Sequence, residues 1–126
     1  MARATGVGGI FLKARDPKAL AAWYAKHLGI PQQDGGTLAF DGPESLGMTV
    51  FAHFPADSTY FGAGPQQSMV NFRVDDMEKL LLQLAAEGVP IDPKRDEYPY
   101  GKFAWIEDPE GNRIELWEPP PAPTVA

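Results

Sequence analysis

No cysteine occurs among the 126 residues. That absence removes any disulfide framework, any thiolate metal ligand and any cysteine nucleophile, and nothing in the chain calls for an oxidising compartment. Histidine is scarce, with two copies, His27 and His53, so chemistry falls to oxygen groups and these imidazoles. No run approaches the roughly 20 apolar residues of a membrane span, and Met1 to Gly9 lacks the apolar stretch of a signal peptide. We therefore expect a cytoplasmic protein with no membrane partner. Positive charge is short too: 11 Lys and Arg face 17 Asp and Glu, a net charge of -6, and the basic residues are scattered. Phosphate backbones are repelled by such a chain, and no nucleic-acid partner is expected.

What is present is enough apolar material for one core: 44% hydrophobic and 11% aromatic residues predict a single domain over 1–126. Ile10 to Asp16 alternates weakly, and Asp16-Pro17 then supplies an N-cap and the favoured first-turn proline of a helix. Leu20, Trp23, Tyr24, His27 and Leu28 recur at helical spacing, with Gly29 as the expected stop. Three short strands are predicted next, over Ile30–Gln33, Thr37–Phe40 and Met48–Phe54, with a loop through Asp41-Gly42-Pro43 between the last two. After a Gly-, Ser- and Pro-rich linker at about 56–67 the order returns: strand Met69–Val74, cap Asp75-Asp76, and a helix carrying Leu80, Leu81, Leu84 and Ala85 up to Gly88. Strands follow from Val89, over Phe103–Glu107 and over Arg113–Trp117, the last two joined by the turn Asp108-Pro-Glu-Gly-Asn112. Asp16 and Asp76 match at an offset of sixty, and the prolines closing the last strands, Pro55 and Pro119, at sixty-four. A duplicated module (about 7–55 and 68–119, with a frayed Pro-rich tail at 120–126) accounts for both offsets. An ordinary α+β sandwich with two similar halves also fits the pattern.

Asp108 to Pro119, Tyr100-Gly101, Asn71 to Asp76 and Asp16 to Gly29 together resemble the vicinal oxygen chelate (VOC) superfamily of glyoxalases, bleomycin-resistance proteins and dioxygenases, over about nine-tenths of the chain. The resemblance implies an α+β fold in which two βαβββ modules form a curled mixed sheet, the glyoxalase/bleomycin-resistance/dihydroxybiphenyl dioxygenase-like fold. It also implies a small-molecule ligand and a homodimer. Members hold a metal through four equivalent positions, which fall here on Gly9 and Met69, seven before each cap, and on Phe51 and Glu115, four before each closing proline. Only Glu115 is a retained ligand, and one carboxylate does not hold a divalent ion strongly, so no cofactor is expected and a divalent metal is disfavoured.

Alternation places Gly9, Met69, Phe11, Lys13, Asn71, Arg73, Phe51, His53, Glu115 and Trp117 on one face, the cup, and Ile10, Leu12, Val70, Phe72, Val74, Ile114 and Leu116 on the other, towards the helices. Phe11, Phe51, Met69, Asn71, Arg73 and Trp117 are the ligand-binding candidates, in a cup that suits a partly aromatic molecule. Glu115, His53 and Tyr100 are the catalytic candidates. Glu115 reads either as a general base or as the partner of Arg73, His53 as a proton relay or a packed residue, and Tyr100 as a donor on a covering loop or a packed ring. Two functions of different class follow: metal-independent binding of a small compound, and a metal-independent lyase or isomerase using Glu115. A metal-dependent glyoxalase or dioxygenase is the third.

Overall fold

A computed structural model of the chain describes residues 1–28, 30–41 and 47–121. The expected helix stop at Gly29, the loop at Gly42-Pro43 and the end of the tail, 122–126, lie outside the described residues. The elements are β1 (Ala4–Ala14), α1 (Pro17–Leu28), a 3-10 turn (Asp34–Gly36), β2 (Leu38–Phe40), β3 (Thr49–Pro55), β4 (Ser68–Val74), α2 (Met77–Ala86), β5 (Ile91–Tyr98), β6 (Gly101–Glu107) and β7 (Arg113–Glu118). Seven strands of mixed direction and two helices give the α+β class expected. Two compact units are built from them, the first Val7–Asn71, the second Met1–Gly6 with Phe72–Ala126.

Both helices begin as their sequences dictate. The Asp16 carboxylate accepts from the Ala19 N–H at 3.0 Å and the Asp76 carboxylate from the Lys79 N–H at 3.0 Å, satisfying donors that a first turn leaves open. α2 is closed by Gly88, whose φ of 78° turns the chain so that the Val89 N–H donates to the Leu84 carbonyl at 3.0 Å.

In the first unit the strand order is β2-β3-β1, followed by the opening residues of β4. β3 runs parallel to β1 and antiparallel to β2. Ala21, Ile30 and Leu38 are buried under α1 with Tyr24, Ala25 and Phe51 around them. The strand expected at Ile30–Gln33 is reduced to one bridge, Gln32 to Leu38, because Pro31 has no N–H for a ladder. The segment expected as a linker holds a core residue: Phe61 is fully buried, its ring 5.1 Å from Phe54 and under the Lys13 ammonium at 5.5 Å.

In the second unit the closing residues of β4 are followed by β7, β6 and β5, the last three antiparallel. α2 covers one face through Met77, Leu80 and Leu81, which bury against Val74, Ala104 and Leu116 with Phe72, Ile106 and Ile114 beside them. Each such side chain removed from water stabilises the unit by about 1.5–3 kcal/mol before entropy is counted. Ile10 and Val70, expected in the core, are instead 43% and 36% exposed.

Candidate functional site

The expected site residues divide between the units: Phe11, Phe51, His53, Met69 and Asn71 in the first, Arg73, Tyr100, Glu115 and Trp117 in the second.

Asp108 anchors the second unit's site from a distance. Its carboxylate accepts from the backbone N–H groups of Glu110 and Asn112, each at 2.9 Å, and from the Asn112 side chain, which holds its pKa below the ordinary value. The turn so closed sets the β6–β7 register, Trp105 opposite Glu115 and Phe103 opposite Trp117. Directly paired residues share a face, so these four project away from α2. Trp105 is fully buried and its indole N–H donates to a Glu115 carboxylate oxygen at 3.1 Å, with Glu115 itself 2% exposed. Lys94 and the Arg113 guanidinium lie 5.2 and 5.3 Å from the Trp105 ring centroid. Arg113 also pairs with Asp92 at 2.8 Å, and the backbone N–H of Lys94 followed by the Arg113 bond holds the Asp92 pKa low.

Further along the same face the lining turns aromatic and reaches solvent. The Trp117 indole N–H donates to the Tyr100 carbonyl at 2.8 Å, and the Phe103 ring lies between Trp117 at 6.1 Å and Tyr100 at 5.7 Å. Tyr98 and Tyr100 stack at 5.1 Å and 14°, both exposed. The Asp96 charge pushes the Tyr98 hydroxyl pKa up, so that phenol stays neutral near pH 7. Gly101 is required here: at φ 139° a Cβ would sit 2.4 Å from the Trp117 indole nitrogen and 2.6 Å from the Glu118 carbonyl. Arg73 is partly buried, with its guanidinium against the backbone of Gly6.

The first unit corrects the expected face of β3. Register pairs Ile10 with Phe51 and Leu12 with His53, while Phe11 lies beside Ala52 and Lys13 beside Phe54. Phe51 and His53 therefore point to α1, where the Tyr24 ring meets Phe51 at 4.8 Å and stacks on His53 at 5.4 Å and 20°. Phe11 faces the other way and meets Phe54 at 5.3 Å. The count from the closing prolines misplaced them because Pro55 is the last residue of β3, whereas β7 ends at Glu118, before Pro119. A slip of one residue reverses the face. Met69 and Asn71 are buried, at 1% and 3% exposure.

This geometry bears on the metal that the resemblance implies. Phe51 cannot serve the same face as Gly9, and the residue beside Gly9 on β3 is Val50, which offers no donor atom. A Cβ at position 9 would lie 2.8 Å from the Val50 carbonyl and 3.0 Å from the Phe11 ring, closer than real side chains approach. Among the described residues no three His, Asp or Glu side chains gather to hold an ion. Of the four family positions only Glu115 carries an oxygen or nitrogen ligand in its side chain.

Trp105 and Phe61 were missed by the sequence reading. Trp105 was recoverable, since pairing across the Asp108–Asn112 turn sets it opposite Glu115; Phe61 carried no periodic signal. His27 and Trp23 contact each other on α1 at 4.9 Å, with Trp23 half exposed.

No helix among the described residues is long and apolar enough to cross a membrane. No curated protein matches the chain. Among solved structures the chain is similar to methylmalonyl-CoA epimerase from Mycobacterium tuberculosis, at 20% identity and TM-score 0.69 over 94% of this chain and 90% of that one. A Streptomyces coelicolor methylmalonyl-CoA epimerase variant in complex with 2-nitronate-propionyl-CoA gives 14% identity and TM-score 0.72 over 94% and 100%. The Mn(II)-bound glyoxalase from Novosphingobium aromaticivorans gives 17% and 0.66, over 100% of this chain and 44% of that one. At these identities the likeness is one of fold. The family model for the Glyoxalase/Bleomycin resistance protein/Dioxygenase superfamily matches residues 6–116, and the chain belongs to that superfamily.

Proposed function

We propose that this chain binds a small, partly aromatic molecule without a metal, against the face that β6 and β7 turn away from α2. The observation that carries this reading is the aromatic run Tyr98, Tyr100, Phe103 and Trp117, exposed at one end and leading to the buried Trp105–Glu115 pair. A flat ligand stacks on such rings at low entropic cost, and a few polar groups then set its orientation. Arg73 belongs to the same reading as a lining residue of the second unit; Phe51 and His53 leave it because they face α1, and Phe11, Met69 and Asn71 belong to the first unit. The protein is read as a cytoplasmic homodimer, and light scattering that found only a particle of monomer mass would dispose of the dimer.

A second reading makes the chain a metal-independent lyase or isomerase with Glu115 as general base. It is favoured by a buried carboxylate that accepts an indole N–H, and by epimerases being among the proteins that share this fold.

Thermal shift followed by calorimetry with a library of aromatic compounds tests the first reading. A ligand raises the melting temperature by mass action, and Tyr100→Ala should weaken it without unfolding the protein. Failure of every compound, or a ligand indifferent to Tyr100→Ala and Phe103→Leu, would sink the binding face. Turnover lost in Glu115→Gln would move the protein to the second reading. Dialysis against zinc, nickel, manganese, iron and cobalt should leave no bound ion; about one ion per chain on elemental analysis would overturn the metal-free assignment of both readings.

A further inference from the structure

The first unit contains a cavity of about 270 Å³ that belongs to neither reading. It lies where the first turn of α1, the Gln32–Leu38 segment and β3 meet, on the α1 side of β3. Leu38 and Phe51 supply apolar wall, and Lys18, Gln32, Thr37 and His53 are its polar side chains. Among the described residues no acidic residue lines it, in a chain whose net charge is -6.

His53 is the feature that calls for an explanation. Both of its ring nitrogens are shut off from water and neither has a hydrogen-bond partner among the described residues, although the residue lines the cavity. Buried polar atoms are nearly always satisfied, by protein, water or ligand. A half-turn of the ring about its Cβ–Cγ bond exchanges the nitrogens with the ring carbons while keeping the stack on Tyr24. Lys18 brings a cation, and its place in the first turn of a helix adds the positive end of the backbone dipole.

We propose that this cavity is a second ligand site, which takes a small monocarboxylate whose anionic end meets Lys18 and the His53 imidazole and whose short apolar part rests on Leu38 and Phe51. The size agrees: about 270 Å³ is roughly nine water volumes at ~30 Å³ each, enough for an acid between propionate and benzoate in size. A hydrogen bond from a cation to a carboxylate is about twice as strong as a neutral one, so the charge of the ligand decides its affinity.

The test is a nuclear magnetic resonance titration of the full chain with benzoate, butyrate and, as the uncharged control, benzamide. Saturable shifts of the His53 ring protons and the Thr37 amide are expected with both acids. Affinity should fall about tenfold or more in Lys18→Met and for benzamide, and vanish in His53→Phe, whose ring preserves the aromatic packing on Tyr24. Butyrate, which has no ring to stack on the aromatic face of the second unit, should give the same His53 and Thr37 shifts as benzoate, which separates the two sites. Absence of saturable shifts at tens of millimolar, equal affinity for benzamide, or shifts confined to Phe103 and Trp117 would each overturn the proposal.

Discussion

The two units repeat one order of strand, helix and strands, yet finish the sheet face away from their helix by opposite means. In the second unit that face carries a hydrogen-bonded pair, Trp105 with Glu115, and aromatic rings that run out to solvent. In the first, Phe54 and Phe61 fill it, with the Tyr60 ring stacked on Phe54 at 5.2 Å and 13°. His53 lies instead on the helix side, stacked on Tyr24. A repeated order of elements has left one unit with a polar anchor on the face away from its helix and the other with a plug, so units of similar order need not share a site.

The largest effect expected from breaking that contrast is Phe61→Ala. A fully buried ring replaced by a methyl group should cost about 3–5 kcal/mol in urea unfolding, against less than ~0.5 kcal/mol for the exposed ring in Tyr100→Ala. A cost below ~1 kcal/mol for Phe61→Ala would mean the plug does not belong to the core. Next comes Gly101→Ala, which drives a methyl group into Trp117 at a positive φ and should cost about 3 kcal/mol. Gly35→Ala in the first unit meets nothing within 4 Å and should cost only the conformational ~1 kcal/mol. Equal losses of melting temperature would refute the claim that Gly101 is shaped by Trp117.

Trp105→Phe keeps an aromatic ring but removes a donor to a buried carboxylate and part of the ring volume, at an expected cost of about 2 kcal/mol. Calorimetry showing no loss would mean that bond contributes nothing to stability. The caps test where the units agree: Asp16→Ala and Asp76→Ala should each cost about 1 kcal/mol by circular dichroism melting, and a twofold disparity would expose a difference between the two helix starts.

The smallest effect is one of pH. Burial lowers the His53 pKa below its ordinary 6.5, with Tyr24 and Lys18 on α1 the titratable groups nearest its side of β3. The unfolded chain then binds the proton more readily, so this contribution to stability is present above pH 6.5 and is lost as the pH falls from there towards the lowered folded value. Chemical unfolding of His53→Phe between pH 7.5 and 5.5 should show a shallower loss than the parent chain. An equal slope would mean that burial does not perturb this imidazole.

Much of this protein was legible from its residues alone, wherever structure is decided within a few positions. Asp16 and Asp76 cap their helices through bonds three residues long, and Gly88 ends α2 through its own dihedral angle. The Asp108–Asn112 turn is closed by one carboxylate, and with it the register that pairs Trp105 with Glu115. The sheet face taken by Phe51 and His53 was decided only in the tertiary structure, because it depends on how β3 is registered against β1, a partner some forty residues away (His53 beside Leu12). The burial of Phe61 was decided there too, by its packing on Phe54 of β3, which no local pattern announces. Alternation along a strand gives two sets of side chains without saying which set faces the helix, and one residue of slip exchanges them.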